Sequence, residues 1–496
     1  MSKFIKEFFL FFIPILLIPH FLNNSYAQSI EVYIKIDKGS VLSVSGRNSG
    51  ANVRRDRKNL SFLRSSVGID DLAARISDVK LIDDAGISMP HRKFIAGEFV
   101  GEKAFSQWSY KIDIAALKDT KAAAHVSWIS GDTGILMLDD LLPQFRSEGG
   151  KTSAKVTLDL PDGWRAFTSN RMTYGNNFDL PDLEKSVIFI GKGLLELPVA
   201  VAGARLNLLL DGDWNFTHKD AADVVREIYS EYRNLFGSDP GQDIYIGLVK
   251  FPKAVNPGVW QAETRGRNIT IISSDMPFKA QSVQRLHEQL RHEVFHLWLP
   301  NAVNLSGNYD WFYEGFALYQ SLKTGVQLNR IGFTDFLDTL SRAHNIDSMQ
   351  TQRSSLIEAS ANRWNGSDTH VYARGMLVAF LCDIALLGKS KGNTSVSHVI
   401  REIFEKNRFP NQRRDGNTAI LEGLRADGRL SSIVAKYIMG AEKIDWESNT
   451  QTVGLENDPG NARTSLRVKE KPNGRQKVLL NKLGYNNWRK MPRKSE

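Results

Sequence analysis

The sequence predicts an α+β multidomain protein: an antiparallel β domain comes first, a mixed segment follows, and an all-helical domain comes after it. Three observations lead there. The chain is 496 residues long, more than one hydrophobic core organises. Apolar residues alternate with polar ones at a period of two up to about residue 212, as half-buried strands require. Beyond residue 217 the apolar spacing changes to three and four, the period of an amphipathic helix. The expected segments are 1–27, 28–212, 213–330, 331–455 and 456–496.

The first segment reads as a signal peptide. Lys3 and Lys6 precede an apolar run from Phe8 to Leu22, and Ser25-Tyr26-Ala27 supplies the small residues of a cleavage site. The run is interrupted by Pro14 and Pro19 and is short for a hydrocarbon layer of roughly 30 Å. The expectation is therefore export, to the periplasm or the medium. Cys382 is the only cysteine, so no disulfide framework is expected and it reads as a small buried apolar residue.

In the β domain, Ile30, Val32, Ile34 and Ile36 alternate with Glu31, Tyr33, Lys35 and Asp37. Ala154, Val156, Leu158 and Leu160 repeat the pattern before the turn Pro161-Asp162-Gly163. Val187 to Ile190 and Leu206 to Leu210 are further strand-like runs assigned to the same domain. Thr217 and Asp220 then form a helix start before Val225, Ile228, Tyr232 and Leu235, with Gly237 and Pro240 as the stop. Short strands are expected at Ile244 to Val249 and Asn268 to Ile272. Helices dominate after residue 330, marked by Phe333, Phe336, Leu337 and Leu340 and by Val399, Ile403 and Phe404.

Charge is distributed unevenly. The net charge is +9, and residues 461–496 alone carry eleven Lys and Arg against two acids, so the body is near neutral. A neutral body excludes a broad phosphate-binding surface, and no nucleic-acid partner is expected. The basic tail fits either a solvated or packed appendage or a weak contact with an anionic envelope surface. Pro472-Asn473-Gly474 between two strand-like runs predicts a β-hairpin within it.

The chemistry is concentrated in one segment. Ser282 to Leu299 reads as a single helix stopped by Pro300, and within it stands His292-Glu293-Val294-Phe295-His296. Residues four apart on a helix are about 40° apart around its axis, so both imidazoles face one way at a spacing suited to one Zn²⁺. Glu293 lies on the flank, where its carboxylate reaches a water without ligating the metal. His287-Glu288 lies five residues away on another face and is a decoy. Catalytic zinc needs three protein ligands and an open position, and Glu314 in Asp310-Trp311-Phe312-Tyr313-Glu314-Gly315-Phe316-Ala317 is the candidate third ligand, with Asp310 as the expected helix cap.

His296-Leu297-Trp298, Trp311 with Glu314-Gly315-Phe316-Ala317, and Tyr372-Ala373-Arg374-Gly375 resemble the blocks of the gluzincin zinc aminopeptidases, and most closely the glycyl aminopeptidase branch. Leu160-Pro161-Asp162-Gly163-Trp164 extends the likeness into the β domain. The resemblance implies a thermolysin-like catalytic domain at 213–330 with a helical domain closing over its cleft. It implies one Zn²⁺ on His292, His296 and Glu314, general-base action by Glu293, and an oxyanion hydrogen bond from Tyr372. It implies further that a strand before the metal helix grips the substrate's free amino group, at Gln261 or at Glu263 according to the alignment of Gly258-Val259-Trp260-Gln261-Ala262-Glu263.

The expected function is hydrolysis of peptide bonds in peptide or protein substrates by metal-activated water, as an aminopeptidase. An endopeptidase, or an inactive binding or scaffold protein on the same fold, is the alternative. Nothing in the sequence addresses the oligomeric state.

Overall fold

A computed structural model describes residues 28–37, 39–49, 57–145, 151–458 and 463–490. The expected signal peptide, residues 1–27, lies outside them.

The N-terminal part is a β domain. Strands β1 (Gln28–Ile36), β2 (Val41–Ser49), β3 (Gln107–Asp113) and β4 (Thr152–Asp159) form the centre of an eight-stranded sheet in the order β4-β1-β2-β3. Its pairings are antiparallel except β1 with β4, which run parallel. The alternation in the sequence is realised as burial: Ile30, Val32, Ile34, Ala154, Val156 and Leu158 all enter the core of this domain. The turn at Pro161-Asp162-Gly163 is also as expected, with Trp164 N donating to Pro161 O at 3.0 Å and Gly163 at φ +79°. A smaller sheet contains Val187–Gly191 and Thr133–Met137 and covers the other side of this core.

One strand assigned to this domain from its pattern belongs elsewhere. β5 (Leu195–Ala200) and β6 (Arg205–Leu210) form a hairpin, and β6 pairs in parallel with β7 (Ile244–Lys250). With β8 (Trp260–Arg265) and β9 (Asn268–Ser273) they make a second sheet of order β5-β6-β7-β9-β8. Alternation reports that a segment is a strand; it does not report which sheet will hold it. β8 is thus an edge strand, antiparallel to β9.

Helix α1 (His218–Phe236) begins at a reciprocal cap, Thr217 with Asp220, and ends at Gly237 with φ +78°. It packs on α2 (Lys279–Glu293) and the short 3₁₀ turn after it through Tyr232, Phe236, Phe295 and Trp298, whose Phe236 and Trp298 rings stack at 5.1 Å. Then follow α3 (Asp310–Gln327), α4 (Phe333–Ser348), α5 (Asp368–Lys389) and α6 (Val396–Asn407). The mixed and helical parts share one hydrophobic core. α5 is long and apolar enough to cross a membrane, but it is buried inside this core, with Cys382 at its centre.

The expected hairpin at Pro472-Asn473-Gly474 is absent. Asn473 instead caps helix α7 (Gly474–Leu483), accepting from Gln476 N at 2.9 Å. Leu466–Val468 pairs with Leu455–Asn457, upstream of that site. The Asn side chain serves a helix start as readily as a hairpin turn, and Gln476 three residues on completes a capping box. Leu466, Leu479, Leu480 and Leu483 join the shared core, so the described part of the tail is packed.

Candidate metal centre

α2 carries His292 and Glu293 in its last turn. The helix starts earlier than the sequence suggests and does not continue in α form to Leu299. The reason is local. The Thr264 hydroxyl on β8 lies 3.1 Å from the Glu293 main-chain oxygen, and Leu297 N turns to Val294 O at 3.2 Å, tightening the chain into a 3₁₀ turn. His296 sits in that turn. Asn301 braces it by donating to His296 O at 3.0 Å and to Thr264 O at 2.9 Å.

The two imidazoles and Glu314 converge. His292 Nε2 and His296 Nε2 are 3.1 Å apart, and Glu314 Oε2 lies 3.2 Å from the first and 3.4 Å from the second. Among the described residues this is the group of three or more His, Cys, Asp or Glu able to hold one ion. His296 Nδ1 lies 2.9 Å from Leu299 O, a contact that sets the ring with Nε2 toward the other ligands. Glu314 Oε2 is buried with no hydrogen-bond partner among the described residues. A buried carboxylate oxygen facing two imidazole nitrogens is what a divalent cation would satisfy, so the donor set fits Zn²⁺. Burial alone would raise the Glu314 carboxyl, yet His296 and Arg363 hold it well below the ordinary range.

Glu314 and Tyr372 reach this place through a close helix crossing. α3 and α5 meet at Gly315 and Gly375, where a Cβ on Gly375 would stand 2.7 Å from Trp311 O and one on Gly315 would overlap Gly375 itself. Glycine is required at both positions for the backbones to touch. Asp310 is the first residue of α3 and not its cap. The Trp311 amide is satisfied by Ser360 Oγ at 2.8 Å, and Asp310 Oδ1 accepts from Tyr313 and from Arg363, each at 2.8 Å.

Arg363 is the central residue that sequence reading missed. It is buried and donates from Nη1 to Glu314 Oε1 at 3.1 Å, from Nη2 to the Tyr372 hydroxyl at 2.6 Å, and from Nε to Asp368 at 3.0 Å. Because the phenolic oxygen accepts from Arg363, its own proton is left to point elsewhere. Burial, then the Glu314 charge, pushes the Tyr372 phenol well above its ordinary value, so it stays protonated. Thr264 was missed too: its hydroxyl lies 2.7 Å from Glu293 Oε2 and orients the carboxylate. No local pattern marks their contacts to the site, since Thr264 reaches Glu293 across 29 positions and Arg363 reaches Glu314 across 49.

The cleft beside these groups is about 1040 Å³ and is lined by Gln261, Glu293, Arg363 and Tyr372 among others. Glu263 is committed differently from the expectation. Its Oε2 is 2.6 Å from His125 Nδ1 and its Oε1 accepts from Arg265 Nε at 2.7 Å, while Arg265 also pairs with Asp139. Burial would raise the Glu263 carboxyl, but Arg265 and His125 hold it down to about 2. Its charge is therefore spent on the contact between β8 and the β domain. His287 is likewise remote from the site, buried and 3.1 Å from Glu227.

No protein-family model matches the chain, and no curated protein matches it. Among solved structures, an aminopeptidase N family protein of Idiomarina loihiensis superposes with a TM-score of 0.73 at 15% identity, over 89% of this chain and 82% of that one. An M1 zinc metallopeptidase of Deinococcus radiodurans superposes at 0.53 and 14% identity, over 84% of this chain and 93% of that one. A mutant of the latter, bound to a Tyr-Ser-Ala substrate, gives 0.54 at 14% identity, with coverages of 84% and 94%. The chain thus has the multidomain architecture of these M1 peptidases.

Proposed function

We propose that this protein is an exported zinc metallopeptidase that hydrolyses peptide bonds. The observation that carries the reading is the unpartnered Glu314 oxygen facing two imidazole nitrogens, with a carboxylate and a protonated phenol at the same cleft. The architecture shared with M1 zinc peptidases supports it.

A zinc ion held by His292, His296 and Glu314 would polarise the substrate carbonyl and acidify a bound water. Glu293, aimed by Thr264, takes the proton of the attacking water and returns it to the departing amine. Tyr372 donates its hydrogen bond to the oxygen that becomes negative in the transition state. Arg363 holds the acceptor side of that hydroxyl and one oxygen of Glu314, fixing the distance between them.

Aminopeptidase action is the first reading, with Gln261 on the edge strand accepting from the substrate ammonium through its amide oxygen. An amide is a weaker partner for a cation than a carboxylate. Because the Glu263 carboxylate is already paired, internal cleavage is the second reading.

Three measurements test this. The purified protein should carry one zinc per chain; His296→Ala should lose it, and Glu293→Gln should keep it but not turn over. Zinc-free, inactive protein would defeat the mechanism and favour a scaffold role, and hydrolysis by the Glu293→Gln form would remove Glu293 as the base. Matched peptides with free and acetylated N-termini separate the two peptidase readings: an aminopeptidase cleaves only the free set.

A further inference from the structure

Beside the His292, His296 and Glu314 triad the cleft extends into a wing between α2, α3 and α4, lined by Gln284, Glu288, Arg291, Leu322, Ile331 and Arg342. Gln284, Glu288 and Arg291 follow one stripe of α2, at i, i+4 and i+7. Arg291 is 2% exposed, yet its Nε and Nη1 have no hydrogen-bond partner among the described residues. Nor does its guanidinium form an ion pair among the described residues. A buried cation without a direct partner is costly, and Glu288 and Glu227 act on Arg291 only through space.

The carboxylates around it are already used. Glu288 pairs with Arg285 at 2.7 Å, Glu227 takes His287 at 3.1 Å and Arg330 at 2.7 Å, and Asp335 accepts from Gly332 N at 3.1 Å. On the opposite wall Arg342 donates to the Thr339 hydroxyl at 3.0 Å, and no carboxylate pairs with it among the described residues. The seat of Arg291 is shaped for it: Gly325 on α3 has no side chain, and a Cβ there would overlap Nη1. The main chain of Arg291 is held as well, its carbonyl accepting from the Tyr232 hydroxyl.

We propose that this wing is an anion subsite in which Arg291 receives a carboxylate of the bound peptide. With Nε and Nη1 buried against the protein, Nη2 is the nitrogen left to make this charge-assisted hydrogen bond. Arg291 lines the same cleft as His292 and Glu293, so the carboxylate belongs to a substrate residue near the scissile bond. This deepens the peptidase reading and rests on it. The carboxylate comes either from an Asp or Glu side chain or from the C-terminus of a short peptide.

Binding to the Glu293→Gln form, which holds substrate without turnover, is the direct test. Four peptides suffice: Glu or Gln beside the scissile position, each with a free or an amidated C-terminus. The subsite should favour a carboxylate about tenfold or more over its amide counterpart. A preference for Glu over Gln in the amidated pair assigns it to a side chain; one seen only between free and amidated ends assigns it to the C-terminus. Arg291→Gln, and separately Gly325→Ala, introduced into the same protein, should remove that preference. Gly325→Ala decides if Arg291→Gln does not fold. Equal binding of all four peptides, or a preference that survives a folded variant, would overturn the proposal. If the preference is present while the native zinc-loaded protein cleaves no peptide, the peptidase reading fails and the anion subsite stands.

Discussion

At the scale of single residues the site is built from two kinds of contact. His292, Glu293 and His296 lie within five positions, so their convergence follows from helical spacing and was legible in the sequence. Arg363 and Thr264 matter through partners far along the chain and Arg291 through the cavity wall it occupies, and no spacing announces them. Arg363 is the most consequential, since it joins the Glu314 carboxylate to the Tyr372 hydroxyl. Arg363→Lys keeps a charge but cannot bridge both oxygens with a planar fork. The expected outcome is a lower kcat with weaker zinc retention against a chelator. Tyr372→Phe should lower kcat by roughly 10²-fold with KM little changed and zinc content intact. Steady-state kinetics with zinc analysis distinguishes them: a Lys variant with native zinc retention would free Glu314 from dependence on Arg363.

At the scale of elements, the crossing of α3 and α5 sets the distance from Glu314 to Tyr372. Gly315 and Gly375 were visible in the sequence as parts of two separate blocks, but that they touch was not, because contact between helices leaves no mark in either one alone. A methyl at either position must push the backbones apart, since the obstructing atoms are main chain. Gly315→Ala and Gly375→Ala should each cost about 1–3 kcal/mol of stability. They should also lower activity in parallel with zinc retention, which urea unfolding and chelator competition would measure. Native stability in either variant would show that the crossing yields without cost. The Asn473-Gly474 site shows the converse failure of local reading. The same dipeptide suits a hairpin turn or a helix cap, and Gln476 together with the burial of Leu479, Leu480 and Leu483 decides for the helix. Truncation after Gly460 therefore removes core side chains, and the expected result is a protein of lower melting temperature. A truncated protein as stable as the full chain would return the tail to the role of an appendage.

At the scale of the whole molecule, the β domain meets the second sheet through a charged cluster in which His125 and Asp139 face Glu263 and Arg265. Alternation and helical spacing reveal layers, but a cluster assembled from residues more than a hundred positions apart is decided only by the assembled fold. Two carboxylates in it titrate in opposite senses. Glu263 is held down to about 2 in spite of burial, so its contribution is complete above its ordinary 4.5 and is lost as pH falls toward 2. Asp139 is raised by burial to about 6, more than Arg265 lowers it, so its contribution is complete below its ordinary 3.8 and is lost as pH rises toward 6. The two carboxylates therefore set opposite limbs on this contact, the acid limb from Glu263 and the limb rising toward pH 6 from Asp139. Asp139→Asn should flatten the loss of stability between pH 4 and 6, and Glu263→Gln the loss on the acid side, as read by urea unfolding across that range. The same Glu263→Gln protein tests whether this carboxylate belongs to the interface or to substrate binding. If it belongs to the interface, the ratio of kcat/KM for free over acetylated peptides stays at its native value while acid unfolding changes. A collapse of that ratio with unchanged acid unfolding would place Glu263 back at the substrate's amino group.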